Sequence, residues 1–235
     1  DAKPGARPDR SVIVYSQRCR EAYYETPIVI GGIEASLRRI AQYDYWSDKV
    51  RRSILIDANA DILLFGNAER ALAELAHQLA NGKKPSDLWD LRGSALIRDS
   101  LPNDWTEIDS TRIDWPAKID KIPNPYDFHN NEKQIESTPT KQDETKNIKI
   151  IPLPLQRKVE FDKEKSYIRL PSFNKVKNDA ILYAHASRVL HQEANPFNAK
   201  VLVQRHGTKE LWVNPPPIPL GTDELDWVFD LPFKR

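Results

Sequence analysis

The apolar positions of the chain come in short runs stopped by glycine, and that pattern predicts strands alternating with helices. Pro27-Ile28-Val29-Ile30 is one such run and ends at Gly31-Gly32. Ile33, Leu37, Ile40 and Ala41 then recur at helical spacing, so the unit reads as strand, tight glycine turn, helix. Ser53-Ile54-Leu55-Ile56 is a further apolar run. Asp61-Ile62-Leu63-Leu64-Phe65 follows as a strand stopped by Gly66. Leu72, Leu75, Ala76 and Leu79 mark an amphipathic helix that Asn81-Gly82 ends. Ser11 to Tyr15 fits a strand or the start of a helix. Buried strands alternating with helices predict an α/β fold, with a mostly parallel, partly Rossmann-like sheet and flanking helices.

The second half reads differently. His129 to Lys149 is rich in Asn, Gln, Lys, Glu and Thr, the composition of a flexible linker. Tyr167 to Leu170 fits a short strand and Ile181 to Glu193 a helix, with Leu182, Ala186, Val189 and Leu190 on one face. Asn195-Pro196 fits the cap and first turn of a further helix that Gly207 would stop. Leu211-Trp212-Val213 fits a strand, and Asn214-Pro215-Pro216-Pro217-Ile218-Pro219 must be extended. The expected division is an α/β domain over 1–128, a polar linker over 129–150, and a smaller helical and extended segment over 151–235.

Composition narrows the function classes. Of 235 residues, 40% are apolar, enough for a sizeable core. Lys and Arg number 35 and Asp and Glu 34, so the net charge of +1 offers no global attraction to DNA or to a membrane surface. No apolar stretch of about 20 residues is present to span a bilayer. The single cysteine, Cys19, excludes an internal disulfide and a Cys-rich metal site, and points to a reducing cytoplasm. The chain holds no methionine, so Asp1 is not expected to be the natural start.

Four constellations are candidates for chemistry. Gly31, Gly32, Glu34 and Ser36 form one strand-to-helix turn, and Gly66, Asn67 and Glu69 another. Glycines at the carboxyl end of a strand admit a ligand close to the backbone, or simply allow a sharp turn. Arg38, Arg39, Tyr43, Asp44, Tyr45, Trp46, Arg51 and Arg52 interleave cations with rings. Such a segment binds RNA or a nucleotide by stacking and phosphate contact, or forms a structural knot of Arg–Asp pairs. His185, Arg188 and Gln192 make a polar stripe on one helix, facing a partner, a polar ligand or solvent. His185 and His191 are six residues apart, roughly 240° around a helix, so they do not form the i, i+4 pair that binds metal. No P-loop, zinc pattern, Gly-x-Gly-x-x-Gly or nucleophile–His–acid spacing is present; no catalytic residue and no metal ligand is assigned.

Several of these strings together resemble the YgiQ family of radical S-adenosylmethionine (SAM) proteins. They are Arg7-Pro8-Asp9-Arg10, Pro27 through Arg39, Tyr43 through Ser53, Phe65-Gly66-Asn67-Ala68-Glu69-Arg70, Leu170-Pro171-Ser172-Phe173, Tyr183 through Arg188, and Trp212-Val213-Asn214-Pro215-Pro216. The resemblance runs in order from Arg7 to Arg235, apart from the linker. It implies the region before a radical SAM barrel, whose Cys-x-x-x-Cys-x-x-Cys motif, absent here, would hold a [4Fe–4S] cluster beyond Arg235. It also implies a fold like the second half of a cobalamin-binding domain, without the half that would carry a ligating histidine. The reading is then a non-catalytic accessory region whose partner is the barrel of its own full-length chain, acting on an unknown substrate, with cluster and SAM held outside this chain. The alternative is a binding module for RNA or a nucleotide through residues 38–52.

Overall fold

A computed structural model describes residues 5, 8–117 and 165–232. The expected linker at 129–150 lies outside the described residues. The chain opens with helix α1 (Ser11–Ala22), which settles the ambiguity of the first apolar run; its Val12 and Ile13 pack against the core. Strand β1 (Val29–Ile30) leads through Gly31 into α2 (Gly32–Leu37). The helix stops at Leu37; Ile40 and Ala41 are buried beyond it. The chain then turns through an antiparallel hairpin, β2 (Gln42–Asp44) and β3 (Lys49–Arg51).

The run Ser53 to Ile56 is a short helix, α3 (Ile54–Asp57), rather than a strand. Four apolar residues alone do not distinguish the two, and the hydroxyl of Ser53 decides by accepting from the Leu55 N–H, an N-cap. Strand β4 (Ile62–Leu64) and helix α4 (Glu69–Ala80) follow as expected. Alternation splits the strand: Ile62 and Leu64 pack with Ala71 and Leu75 of α4, whereas Leu63 and Phe65 join the main core on the other face. Leu72, assigned to the apolar stripe, is exposed, and Ala71 takes its place.

Two strands without a clear apolar signal come next, β5 (Ser94–Arg98) and β6 (Thr106–Asp109). After the undescribed stretch come β7 (Ser166–Arg169), α5 (Phe173–Val176) and α6 (Ala180–Gln192). The carboxylate of Asp179 caps α6 by accepting from the N–H groups of Ile181 and Leu182. The helix expected after Asn195-Pro196 is instead one turn, closed by the Asn195 side chain on the Phe197 N–H. The residues beyond form a hairpin, β8 (Val201–His206) and β9 (Lys209–Val213), with Gly207 at φ +65° in its turn. Val201 and Val203 pack on one face and Leu202 on the other, the two-sided burial of a strand in place of the expected helix. The last described element is α7 (Thr222–Phe229).

Seven strands share one sheet in the order β1-β4-β5-β9-β8-β7-β6. The layered α/β arrangement is the one expected, and it is consistent with a Rossmann-like fold. Its parallel pairs are β1/β4, β6/β7 and β7/β8, and the centre is antiparallel. Counting direction across the centre, β6, β7 and β8 run opposite to β1 and β4. The two parallel sets therefore point their carboxyl ends at opposite edges of the sheet. Strands from both sides of the undescribed stretch share this sheet, and residues 1–117 and 161–235 fall in one compact unit. No helix among the described residues is long and apolar enough to cross a membrane.

Candidate functional site

β1 and β4 pair in parallel, Val29 with Ile62 and Ile30 with Leu63, so the glycine turns after them share one sheet edge. The sequence placed Gly31, Gly32, Gly66, Asn67 and Glu69 there, and the structure brings them together. What occupies the edge is the chain itself. Gly66 and Gly93 both sit at φ +72°, and a side chain on either would meet Pro217 at 3.2 and 3.1 Å. The Gly93 N–H donates to the Pro215 carbonyl at 2.8 Å, and the Arg92 Nε to the Pro216 carbonyl at 3.1 Å. Asn214 fixes the start of this segment: its amide donates to Ser94 Oγ, and its carbonyl oxygen accepts from the buried Trp212 indole. Proline cannot pair as an inner strand, so the run crosses the strand ends instead of extending the sheet.

Arg70, in the first turn of α4, holds the far end of that segment. Its Nη1 donates to the Ile218 carbonyl at 3.0 Å, and its Nε and Nη2 donate to the Glu224 carboxylate at 3.1 and 2.6 Å. Glu224 also accepts from the Gly221 N–H and so caps α7. Arg70 holds the Glu224 carboxyl below its usual range, and Glu224 raises the Arg70 guanidinium. Asn67 and Glu69 are exposed beside this clamp. Glu34 faces Arg38 at 3.8 Å, and the Ser36 carbonyl accepts from Arg39. Arg70, Gly93 and Pro217 were missed as site residues. The signal available was the unusual Asn-Pro-Pro-Pro run, which needs a seat free of side chains.

The Arg/Tyr/Trp segment folds as a knot of ion pairs. Asp44 accepts from Arg51 at 2.6 Å, Ser47 at 2.9 Å, Arg10 at 2.9 Å and the Trp46 N–H at 3.1 Å. Those donors, Arg51 first, hold its carboxyl far below the usual range. Arg38 and Arg52 share Asp57 at 2.7 and 2.8 Å. Arg39 lies over the Phe65 ring at 4.9 Å. Tyr45 and Trp46 point outward, their rings tilted by 39° with centroids 5.5 Å apart and Trp46 83% exposed. Beside the knot lies a cavity of about 710 Å³ whose walls include Tyr43, Lys49, Arg52, Lys177 and Tyr183.

The α6 stripe divides. Gln192 is exposed, whereas His185 is wholly buried, its Nε2 2.9 Å from Ser110 Oγ and its Nδ1 3.4 Å from Asp114. Arg188 pairs with the same carboxylate at 2.6 Å and donates to the Trp115 carbonyl. Burial pushes the Asp114 carboxyl up, but the Arg188 and His185 bonds outweigh it and leave it low. Serine, histidine and aspartate stand in the order of a hydrolytic triad, which linear spacing did not reveal. With Ser110 1% exposed and Asp114 committed to Arg188, the arrangement locks the turn after β6 onto α6. Near it, at the carboxyl ends of β6 and β7, is a second cavity of about 470 Å³ walled by Glu107, Arg169 and Glu210. Arg169 pairs with both acids, at 3.0 and 2.6 Å. Cys19 is exposed on α1, and no group of three or more His, Cys, Asp or Glu among the described residues could hold a metal ion.

The "UPF0313 protein" of Pseudomonas putida is 57% identical over 234 residues, covering 98% of this chain and 30% of the relative. Relatives of the same description in Pseudomonas aeruginosa and Vibrio cholerae are 56% and 57% identical, covering 98% and 99% of this chain and 31% and 28% of their own lengths. The chain thus spans about 30% of the curated relatives it matches. No solved structure matches it. The family described as "Radical SAM N-terminal" matches across residues 1–235, and the chain belongs to that family.

Proposed function

We propose that this region is a non-catalytic part of a radical SAM enzyme and that it fixes the segment joining it to the barrel. The observation that supports this most is the seating of Pro217 against Gly66 and Gly93, with Arg70 clamped on Ile218 and Glu224. A strand edge that would otherwise admit a ligand is filled by the run leading out of the domain. The family implies a [4Fe–4S] cluster and SAM for its full-length proteins. The residues of this chain do not fit the cluster, since iron–sulfur centres are held by several Cys thiolates and Cys19 is the one cysteine present. Cluster, SAM and substrate chemistry then belong to the rest of the protein, in the reducing cytoplasm that the single thiol favours.

The test is Arg70→Ala in the longer protein. Amide exchange across residues 215–230 should speed up and SAM cleavage should slow at unchanged iron content. Unaltered exchange and cleavage would sink the proposal. A second reading, a module for RNA or a nucleotide, draws on the cavity bordered by Tyr43, Lys49 and Tyr183. It is weakened by the commitment of Arg38, Arg51 and Arg52 to Asp44 and Asp57. Fluorescence anisotropy with single-stranded RNA and with AMP, at two salt concentrations, decides it.

A further inference from the structure

Helix α7 carries more apolar surface than its own domain covers. It has no buried residue, and Leu225, Trp227 and Phe229 are 44%, 65% and 80% exposed. At roughly 100° per residue, Asp223 and Asp226 fall on one side, with Asp230 just beyond the last turn. Glu224 turns back to Arg70. Leu225 and Phe229, four residues apart, share another side, and Trp227 stands on the opposite flank. Eight residues are too few for a stable helix in water, so α7 needs packing on more than its clamped side. At the same sheet edge, Ile33 and Leu37 of α2 are also exposed.

We propose that the exposed apolar side of α7 is a docking surface for the part of the protein that follows this region in its relatives. The proposal rests on the reading that the Pro215–Pro217 run and its clamp lead into that part. The occupant follows from place and length. α7 is the last helix before the described residues end at Pro232, and the curated relatives are matched over about 30% of their length, so most of each lies beyond this region.

The experiment places Leu225→Glu/Phe229→Glu in both the 235-residue chain and the longer protein. The thermal midpoint of the shorter chain should stay where it is, because the side chains are already hydrated there. That of the longer protein should fall by roughly 4 °C or more, with faster amide exchange across residues 222–231. An equal fall in both chains would mean that the face packs within this domain, and no change in either would mean that nothing covers it. A longer protein that is dimeric by light scattering and becomes monomeric with the substitutions would give the face to a second copy. Each of these three results overturns the proposal. Arg70→Ala separates it from the clamp. If Arg70→Ala slows SAM cleavage while the double variant leaves the longer protein unchanged, the clamp stands and the docking surface falls.

Discussion

The two edges of the sheet obey one rule with opposite outcomes. At each, parallel strands end and a helix or turn begins, the place where α/β sheets leave room. At the β1–β4 edge the room is taken by Pro217 against Gly66 and Gly93. At the β6–β7 edge, where no glycine stands, a cavity remains beside the Glu107–Arg169–Glu210 pairs. A glycine at a strand end therefore reports either a close approach to the backbone, as at Gly66 and Gly93, or only a left-handed turn, as at Gly32. Open space needs its own walls, and here charged side chains supply them.

The largest effect should come from breaking the filled edge. Gly93→Val puts a branched side chain at φ +72°, 3.1 Å from Pro217 and 3.2 Å from the Phe65 carbonyl. The carbonyl is backbone and cannot swing aside. Left-handed strain and overpacking each cost about 1–3 kcal/mol, so urea unfolding should show a loss of about 4 kcal/mol. A loss under about 1 kcal/mol would mean that the proline run is loosely seated.

The opposite edge should respond to pH. His206 ends β8, stacks on Phe173 at 5.4 Å, and bonds through Nε2 to Gln204 while its Nδ1 has no partner. Burial lowers its pKa to about 4, with Arg52 assisting and Asp57 opposing. The unfolded histidine takes up its proton near pH 6.5 and the folded one only near 4, so the unfolded state binds more protons in between. Stability should be full above pH 6.5 and fall by about 3 kcal/mol as pH drops to 4. His206→Gln should flatten that limb, and an unchanged slope would assign it to other groups.

The turn after β6 should be next in size. Asp114→Ala removes one acceptor of Arg188 and one partner of the wholly buried His185. Arg188 is partly exposed and can reach water, so a loss of about 2 kcal/mol is expected in the same titration, less than for a fully buried pair. An effect within about 0.5 kcal/mol would show that α6 does not depend on this lock.

The sequence made the first edge legible and hid the second. Strands β1 and β4 and helix α4 stand out because apolar runs end at Gly31, Gly66 and Gly82, where the backbone must turn. The Arg–Asp knot is legible in part, because Asp44 sits among the arginines it pairs with, whereas Asp57, which takes Arg38 and Arg52, lies beyond them and Asp48 accepts from the Tyr43 hydroxyl instead. β5 and β6 were not, because Ser94, Arg98, Thr106 and Glu107 dilute their apolar pattern and tertiary pairing supplies what propensity lacks. The Ser110–His185–Asp114 contact joins residues about 70 positions apart, and no local spacing announces it. The Pro run was read as extended, but its seat depends on Gly93, a lone glycine in an otherwise unremarked stretch.

The smallest effect should distinguish two kinds of glycine at the filled edge. Gly32 has φ +85°, yet a side chain there would meet nothing within 4 Å. Gly93 is constrained by both conformation and neighbours, and Gly32 by conformation alone. Gly32→Ala should therefore cost only the left-handed strain, about 1 kcal/mol, and Gly32→Asn less, because Asn tolerates that region better. Stability and activity give separate answers on whether this glycine serves a turn or a site. A turn predicts that Ala lowers stability slightly, Asn restores most of it, and SAM cleavage by the longer protein follows the folded fraction. A site predicts that both substitutions slow cleavage in proportion to their bulk while the protein stays folded. The neighbouring Gly66 leans on Pro217 and Gly32 leans on nothing, so the turn is the expected result, and a folded but inactive Gly32→Asn protein would reverse it.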